Sequence, residues 1–362
     1  MEKKQSEFNK VFSAWDILVI AFGAMIGWGW VVSSGGWIQK GGVLGAALGF
    51  VVGGVMIFFV GLTYAELTAA MPQCGGEHVW SHRAMGPTGS FVCTWAIILG
   101  YVGVACFEAC AFPTIISYLW PGFLKGYLYT VAGFDIYASW LIVAILVAFG
   151  IMLINIVGAK TAAKLQTILT IIIGGSRAIY SMAESYMIPR VFAKLHPKHK
   201  TPINALILIG ILTMLAPFAG RVMMVWICDA GNFGCCLAYC MVAISFLILR
   251  KKQPDMPRPY KVPAGRLMGG VAVLMSGFMV VMYCIPGSGG TLILPEWGMV
   301  AAWSALGVVF FAICKSKYRE SFGSMVQLIS DEDAATLLPE ADERELDKVI
   351  DGAIDRVLAR LA

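Results

Sequence analysis

A run of glycines, Gly23-Ala24-Met25-Ile26-Gly27-Trp28-Gly29-Trp30, lies inside the first long apolar stretch and is the first place in this sequence where chemistry could be done. Glycines set so closely weaken a helix, and in lipid an unwound backbone is tolerated only where protein or a water-filled cavity covers it. Two readings follow. The free N–H groups of a broken helix can hold an anionic group near the membrane midplane, as in many secondary transporters. Alternatively, Gly23 and Gly27, four apart, simply admit a neighbouring helix.

Few ionisable groups lie deep in apolar surroundings. Glu108 falls near the middle of the third long run, where a charged carboxylate costs about 2.5–3.5 kcal/mol by insertion scales. It is expected to face the protein interior or a cavity, either as a proton- or cation-coupling group or as a neutral, hydrogen-bonded structural acid. Asp229 and Asn232 invite the same question on the sixth long run, whereas Asp16 and Glu66 sit near a run's end, where the cost is small. His78 and His82 stand four apart behind Glu77, but not in the His-Glu-x-x-His order of a zinc site, so no metal is expected. No phosphate-binding Gly-x-x-x-x-Gly-Lys loop and no nucleophile–base pair is found, so neither an enzyme nor a cofactor is indicated. The ten cysteines fall mostly within apolar runs (Cys93, Cys106, Cys110, Cys228, Cys235, Cys236, Cys240) and read as small hydrophobes.

Elements that could position these groups follow from composition. The 362 residues are 59% hydrophobic and only 14% charged, with a mean hydropathy of +0.77. A soluble domain is roughly 25% charged, so this is a polytopic membrane protein. About 20 apolar residues cross a bilayer. Eight segments meet that length: 14–37, 43–70, 90–119, 136–157, 203–219, 223–249, 268–286 and 297–314. Within the second, Gly41, Gly45, Gly49 and Gly53 repeat every four residues and line one face, which reads as a surface for close helix packing. The first run lacks a small-residue cleavage site and reads as a retained span.

Basic residues set the orientation. With both termini cytoplasmic, 24 of the 27 lysines and arginines fall inside and only Lys40, Lys125 and Arg221 outside, as the positive-inside rule requires. Basic residues on cytoplasmic loops are explained by that topology, and no nucleic-acid partner is implied. Between Lys164 and Arg177 lies an apolar stretch of only twelve residues, about 18 Å of helix, bounded by charge on both sides. It reads as a short re-entrant or interfacial helix, with a tilted ninth span as the alternative. Residues 320–362 carry eleven acidic and four basic groups, and Leu346, Ile350, Ile354, Val357 and Leu361 fall at helical spacing. The domain boundaries expected are therefore a transmembrane region over 1–319 and a cytoplasmic, acidic amphipathic tail over 320–362.

Four segments, in order, resemble the amino acid–polyamine–organocation permeases, secondary transporters of inverted five-helix repeats. They are YAELTAAMPQCGGEHVWSHRAMGP (64–87), NIVGAKTAAKLQ (155–166), SRAIYSMAESYMIPRVFAKLHPKHKTPINAL (176–206) and PDMPRPYKVP (254–263), and the glycine run of the first span resembles that family's Gly-x-Gly motif. The resemblance covers residues 11–318. It implies an all-α polytopic fold of the inverted-repeat transporter type and a function in moving amino acids or related amines by alternating access, through proton symport or exchange. Carried over residue by residue, it implies that the backbone of Met25, Ile26, Gly27, Trp28 and Gly29 holds the substrate. Trp28 departs from the small residue usual there, and His78 stands where a tyrosine is usual.

The resemblance also exposes a gap. In the family, the NIVGAK segment begins the fifth span and SRAIYSMAES ends the eighth, yet here they nearly touch, near 165–176. The fold implied is thus incomplete, with about eight spans and without the sixth, which is the symmetry mate of the first. Two functional classes remain open from sequence: a working carrier in the cell's inner membrane, alone or as a homo-oligomer, and a non-transporting truncated remnant, or an incomplete gene model, that keeps the membrane scaffold.

Overall fold

The computed structural model describes residues 29–157, 168–197, 199, 201–319 and 321–324. The chain divides into two compact units, Met1–Ser324 and Met325–Ala362. The fold described is that of the first. Met25, Ile26, Gly27 and Trp28 lie outside the described residues, as does the expected amphipathic tail helix.

Among the described residues, eight α-helices follow one another: α1 Gly29–Ala70, α2 Glu77–Leu119, α3 Ala138–Val157, α4 Ile168–Glu184, α5 Ile203–Leu215, α6 Gly220–Lys252, α7 Gly265–Cys284 and α8 Leu294–Lys317. Six of them (α1, α2, α3, α6, α7 and α8) contain apolar stretches long enough to cross a membrane, and they coincide with six of the expected spans. The chain is an all-helical, multi-pass membrane protein. The run at 203–219 is a shorter helix finished by a 3-10 turn at Ala216–Ala219. Ahead of α3, Tyr127–Val131 (β1) and Phe134–Tyr137 (β2) form a two-stranded antiparallel hairpin, so residues 136 and 137 belong to a strand rather than to the span expected to start there.

Two long helices conceal reversals of the chain. In α1, Gly42 has φ 69° and ψ 171°, a conformation open to glycine, and the rings of Trp37 and Phe50 on either side lie 5.6 Å apart. A continuous helix would separate those residues by about 20 Å along its axis, so the chain folds back at Gly42. The expected break between the first two spans is therefore made by one glycine. Gly86 in α2 acts in the same way, with φ 75° and ψ −174°. His78 Nδ1 lies 2.8 Å from Ser90 Oγ and 3.3 Å from Thr94 Oγ1, atoms that a straight helix would hold roughly 18–24 Å away. Residues 77–85 thus form a short helix folded back along 87–119.

Residues 87–119 are apolar on nearly every side, the pattern of a helix surrounded by others. Ile98, Val102, Cys106 and Cys110 are buried there against Ile179 and Met182 of α4 and Leu206 and Ile209 of α5. Contact with α6 is closest at four glycines. A Cβ at Gly103 would lie 2.8 Å from the Ile227 carbonyl oxygen, and one at Gly234 would lie 2.5 Å from the Ala96 carbonyl oxygen; Gly100 and Gly231 face each other between them. Helix α8 is fastened by two tryptophans. Each indole, Trp95 and Trp303, donates to the other residue's backbone carbonyl at 2.9 and 3.0 Å, with the rings stacked 4.5 Å apart.

Two expectations concern how α1 and α4 pack. On α1, Cβ atoms built at Gly45, Gly49 and Gly53 meet no atom within 4 Å among the described residues, and Gly53 borders a small cavity against Met275 and Phe278 of α7. A period of four marks a smooth helix face but does not say whether protein or lipid covers it. Residues 168–176 of the apolar stretch before Arg177 belong to a 17-residue helix, α4, that continues past Arg177 to Glu184. Ser176, Ala178, Ile179, Tyr180, Ser181, Met182 and Ala183 are buried, so the helix belongs to the packed bundle.

Candidate substrate and ion site

Of the residues singled out in the first span, only Gly29 is described, as the first residue of α1. Glu108 lies in the central helix with 4% of its surface exposed, facing the interior as expected of an acid at that depth. Asp229 is on α6, adjacent to Cys228, and Cys228 is within electrostatic reach of both Glu108 and Asp229. The two acids therefore face one another's surroundings across the contact of α2 with α6. Asn232 points outward.

A residue not singled out in the sequence joins them. Glu296, near the start of α8, is buried; one of its carboxylate oxygens accepts the Ile293 N–H at 2.8 Å. Its carboxyl is also a hydrogen-bonding neighbour of Asp229, and Lys40 of α1 acts on both. Asp229, Glu296 and Lys40 thus bring together α6, α8 and the hairpin that carries Gly29. Nothing local marks Glu296, which reads in sequence as an ordinary first-turn acid.

At the other end of the bundle, Glu66 is far more enclosed than a boundary residue, with 1% exposure. Its Oε1 accepts from Arg250 Nε at 2.9 Å and lies 3.1 Å from Arg258 Nε. Its Oε2 takes the Arg250 Nη2 donor and the Val262 N–H, the latter at 2.8 Å. Arg258 also donates to the carbonyls of Leu249, Gln253, Pro254 and Met256. One carboxylate therefore ties α1 to the end of α6 and to the whole 253–262 loop. The motif PDMPRPYKVP is the wrapping of this knot.

His78 is fully buried among hydroxyls. Besides Ser90 and Thr94 on Nδ1, its Nε2 lies 2.9 Å from Ser185 Oγ, just beyond α4. The Ser185 carbonyl in turn accepts the Gly323 N–H at 2.8 Å. The imidazole joins the folded-back helix, α4 and the segment after α8, a structural task that leaves neither nitrogen for a metal. No cluster of three or more His, Cys, Asp or Glu suited to a metal occurs among the described residues. In the loop before the folded-back helix, burial pushes the Cys74 thiol up to about 11, against the pull of the nearby Arg177 charge.

Two family profiles, both described as amino acid permease, match the chain in succession, one over residues 16–175 and the other over 168–311. They meet within α4, at the stretch where the sequence brings fifth- and eighth-span motifs together. Among curated proteins, the branched-chain amino acid permease BcaP of Bacillus subtilis (strain 168) is 33% identical over 113 residues, covering 31% of this chain and 24% of that protein. The aspartate-proton symporter of the same organism is 32% identical over 171 residues, covering 46% and 31%. Its methylthioribose transporter is 27% identical over 143 residues, covering 39% and 28%. The matched region spans about a quarter to a third of these relatives' length. With the profiles running in order along residues 16–311 of an all-helical, multi-pass bundle, the chain belongs to the amino acid–polyamine–organocation permease superfamily.

Proposed function

We propose that this protein is a secondary transporter of amino acids or related amines, working by alternating access with proton symport or exchange. The observation that carries the reading is the ordered family match along residues 16–311, to which relatives named as amino acid permeases and an aspartate-proton symporter add a substrate class. In this reading the backbone of Met25, Ile26, Gly27, Trp28 and Gly29 holds the substrate, and Glu108 with Asp229 handles the coupled proton. Placement of Glu108 in the central helix, and of Asp229 beside Glu296 and Lys40, supports a charged relay next to the hairpin that carries Gly29. The protein sits in the cell's inner membrane with both termini cytoplasmic, as a single chain or a homo-oligomer.

The test is uptake of radiolabelled amino acids into proteoliposomes. Saturable, stereoselective uptake is expected, abolished by Gly27→Leu or Gly29→Leu without loss of membrane insertion. Unchanged uptake in those variants would remove the first span from the site. Glu108→Gln is expected to flatten the pH dependence, and a wild-type profile would return Glu108 to a structural role.

A second reading is favoured by the meeting of the two profiles at 168–175: a non-transporting form that keeps the scaffold without the missing spans. Tryptic mass spectrometry of native membranes separates the two. The peptide LQTILTIIIGGSR, residues 165–177, exists only if the junction is real. Its detection together with an absence of uptake would establish the second reading; peptides of a longer protein in its place would restore an ordinary permease.

A further inference from the structure

The Glu66 knot does more than join helices, because it fixes a loop whose charge is nearly all of one sign. Residues 250–266 hold six basic groups and one acid, Asp255. Two of the six, Arg250 and Arg258, are engaged by Glu66. The other four, Lys251, Lys252, Lys261 and Arg266, are exposed, and none makes an ion pair among the described residues. They are separated along the chain but not in space. Arg250 Nη2 donates to the Val262 carbonyl at 3.0 Å, and a Cβ at Gly265 would overlap the Arg250 guanidinium. One guanidinium at the end of α6 thus touches the neighbours of Lys261 and of Arg266, while Lys251 and Lys252 follow it directly in the chain.

This loop joins two apolar spans, one ending at Lys252 and the next beginning at Gly265, so it lies where the chain leaves the bilayer. Tyr260 and Leu267, 42% and 64% exposed, stand next to Lys261 and Arg266 in the chain. A phenol ring favours the headgroup level of a membrane, and a leucine favours the hydrocarbon below it. Cations beside an apolar margin fit a partner that is anionic at its surface and apolar beneath. That partner is an acidic phospholipid rather than a nucleic acid, which offers charge with no hydrocarbon edge. Topology alone requires basic residues on one side of the membrane and leaves them free to move. Here the backbone beneath them is tied down: Arg258 donates to the carbonyls of Gln253 and Met256, and the Val262 N–H donates to Glu66. A cluster ordered in advance loses less freedom on binding.

We propose that Lys251, Lys252, Lys261 and Arg266 form a binding surface for the headgroups of anionic phospholipids, held in place by the Glu66 knot. The ammonium and guanidinium groups donate to phosphate oxygens, the Tyr260 ring lies at the headgroup level, and Leu267 meets the acyl chains. The surface is independent of whether the chain transports. A protein that moves nothing keeps this surface while losing the carrier reading. In the orientation proposed above it meets the cytoplasmic leaflet; in the opposite orientation it would meet the same headgroups in the other leaflet.

The experiment is thermal unfolding of the full chain in a neutral detergent at low ionic strength, titrated with dioctanoyl phosphatidylglycerol, dioctanoyl phosphatidylcholine or inorganic phosphate. Phosphatidylglycerol is expected to raise the midpoint saturably, while phosphatidylcholine and free phosphate leave it in place. Replacing all four cations (Lys251→Gln, Lys252→Gln, Lys261→Gln and Arg266→Gln) should raise the half-saturating concentration about tenfold or more. Lys261→Gln alone, which decides the matter if the fourfold variant does not fold, should raise it about fivefold. Lys315→Gln with Lys317→Gln removes two exposed cations at the end of α8, outside the knot, and should change it by less than about twofold. No shift with phosphatidylglycerol, an equal shift with phosphatidylcholine or with free phosphate, a wild-type response in the loop variants, or an equal loss in the α8 variant would each overturn the assignment.

Discussion

Glu66 and Glu77 stand on either side of one short connection, both drawn into the protein, and their surroundings are opposite. Glu66 has every lone pair engaged, by two arginines and a backbone N–H. Glu77 makes no ion pair with an arginine or lysine among the described residues, and its hydrogen-bond neighbours are the Tyr64 hydroxyl and its own backbone N–H. A carboxylate whose charge is matched inside the fold has nothing left to offer a ligand. One that is enclosed without a match either awaits a cation or loses its charge. Being buried does not distinguish a fastening from a receptor; the inventory of partners does.

The largest expected effect is on the fastened acid. Glu66→Ala would leave Arg250 and Arg258 enclosed without a counter-charge, and breaking a buried pair in this way costs about 3–5 kcal/mol. Thermal unfolding of the purified protein in detergent should show a large drop in midpoint, with early proteolysis in the 253–262 loop. A midpoint within a degree of wild type would mean that the two arginines hold the loop through its carbonyls alone. The comparison between the acids would then fail.

Next in size is a test of which glycines pack. Gly103→Leu drives a side chain into the backbone of α6, at a position where a Cβ alone would stand 2.8 Å from the Ile227 carbonyl oxygen. Overpacking of that kind costs about 1–3 kcal/mol or more. At Gly49 a Cβ meets no described atom within 4 Å, and Gly49→Leu should leave the midpoint nearly unchanged, within about 0.5 kcal/mol. Equal destabilisation by both substitutions would place a partner on the α1 stripe.

These contrasts show how much could be read in advance. Apolar runs fixed six spans because length and hydropathy are local properties, and Glu108 was legible as an interior acid because it sits mid-span. The Glu66 knot was not legible, since Arg250 and Arg258 lie far along the chain and only the fold brings them back. Nor was the reversal at Gly86, because an uncapped glycine followed by proline reads as a loop whichever way the chain turns. The glycines seen to pack closely among the described residues, Gly100 and Gly103 against Gly231 and Gly234, are three apart on two separate helices, a pairing that no single stretch of sequence displays. The glycine run at 23–29 carries the substrate reading and, apart from Gly29, lies outside the described residues.

Cys74 probes whether the segment leading to Glu77 is tucked inward. With its thiol pushed up to about 11, it is protonated at neutral pH, and the reactive thiolate appears only as the pH approaches that value. At pH 8 its thiolate fraction is about a hundredfold below that of an ordinary thiol. Maleimide labelling followed by peptide mapping should find Cys74 slow and the exposed Cys284 fast, with Cys74 accelerating steeply between pH 8 and 10. Equal rates at pH 8 would place the 71–76 connection in water and take Glu77 out of the interior with it.

The smallest effect should come from the acid that anchors nothing. Glu77→Gln keeps the shape of the side chain, and because Glu77 makes no ion pair among the described residues, no arginine is left orphaned as it is at Glu66. Relief from enclosing a charge then offsets the lost attraction to the helix N-terminus, and the net change in stability should stay within about 1 kcal/mol, near neutral or slightly stabilising. Unfolding midpoints of Glu66→Gln and Glu77→Gln, measured side by side without amine, make the comparison direct. A loss at Glu77 as large as that at Glu66 would reveal a hidden partner and return this carboxylate to the scaffold. A near-neutral change would confirm that this carboxylate, unlike Glu66, fastens no arginine in the scaffold.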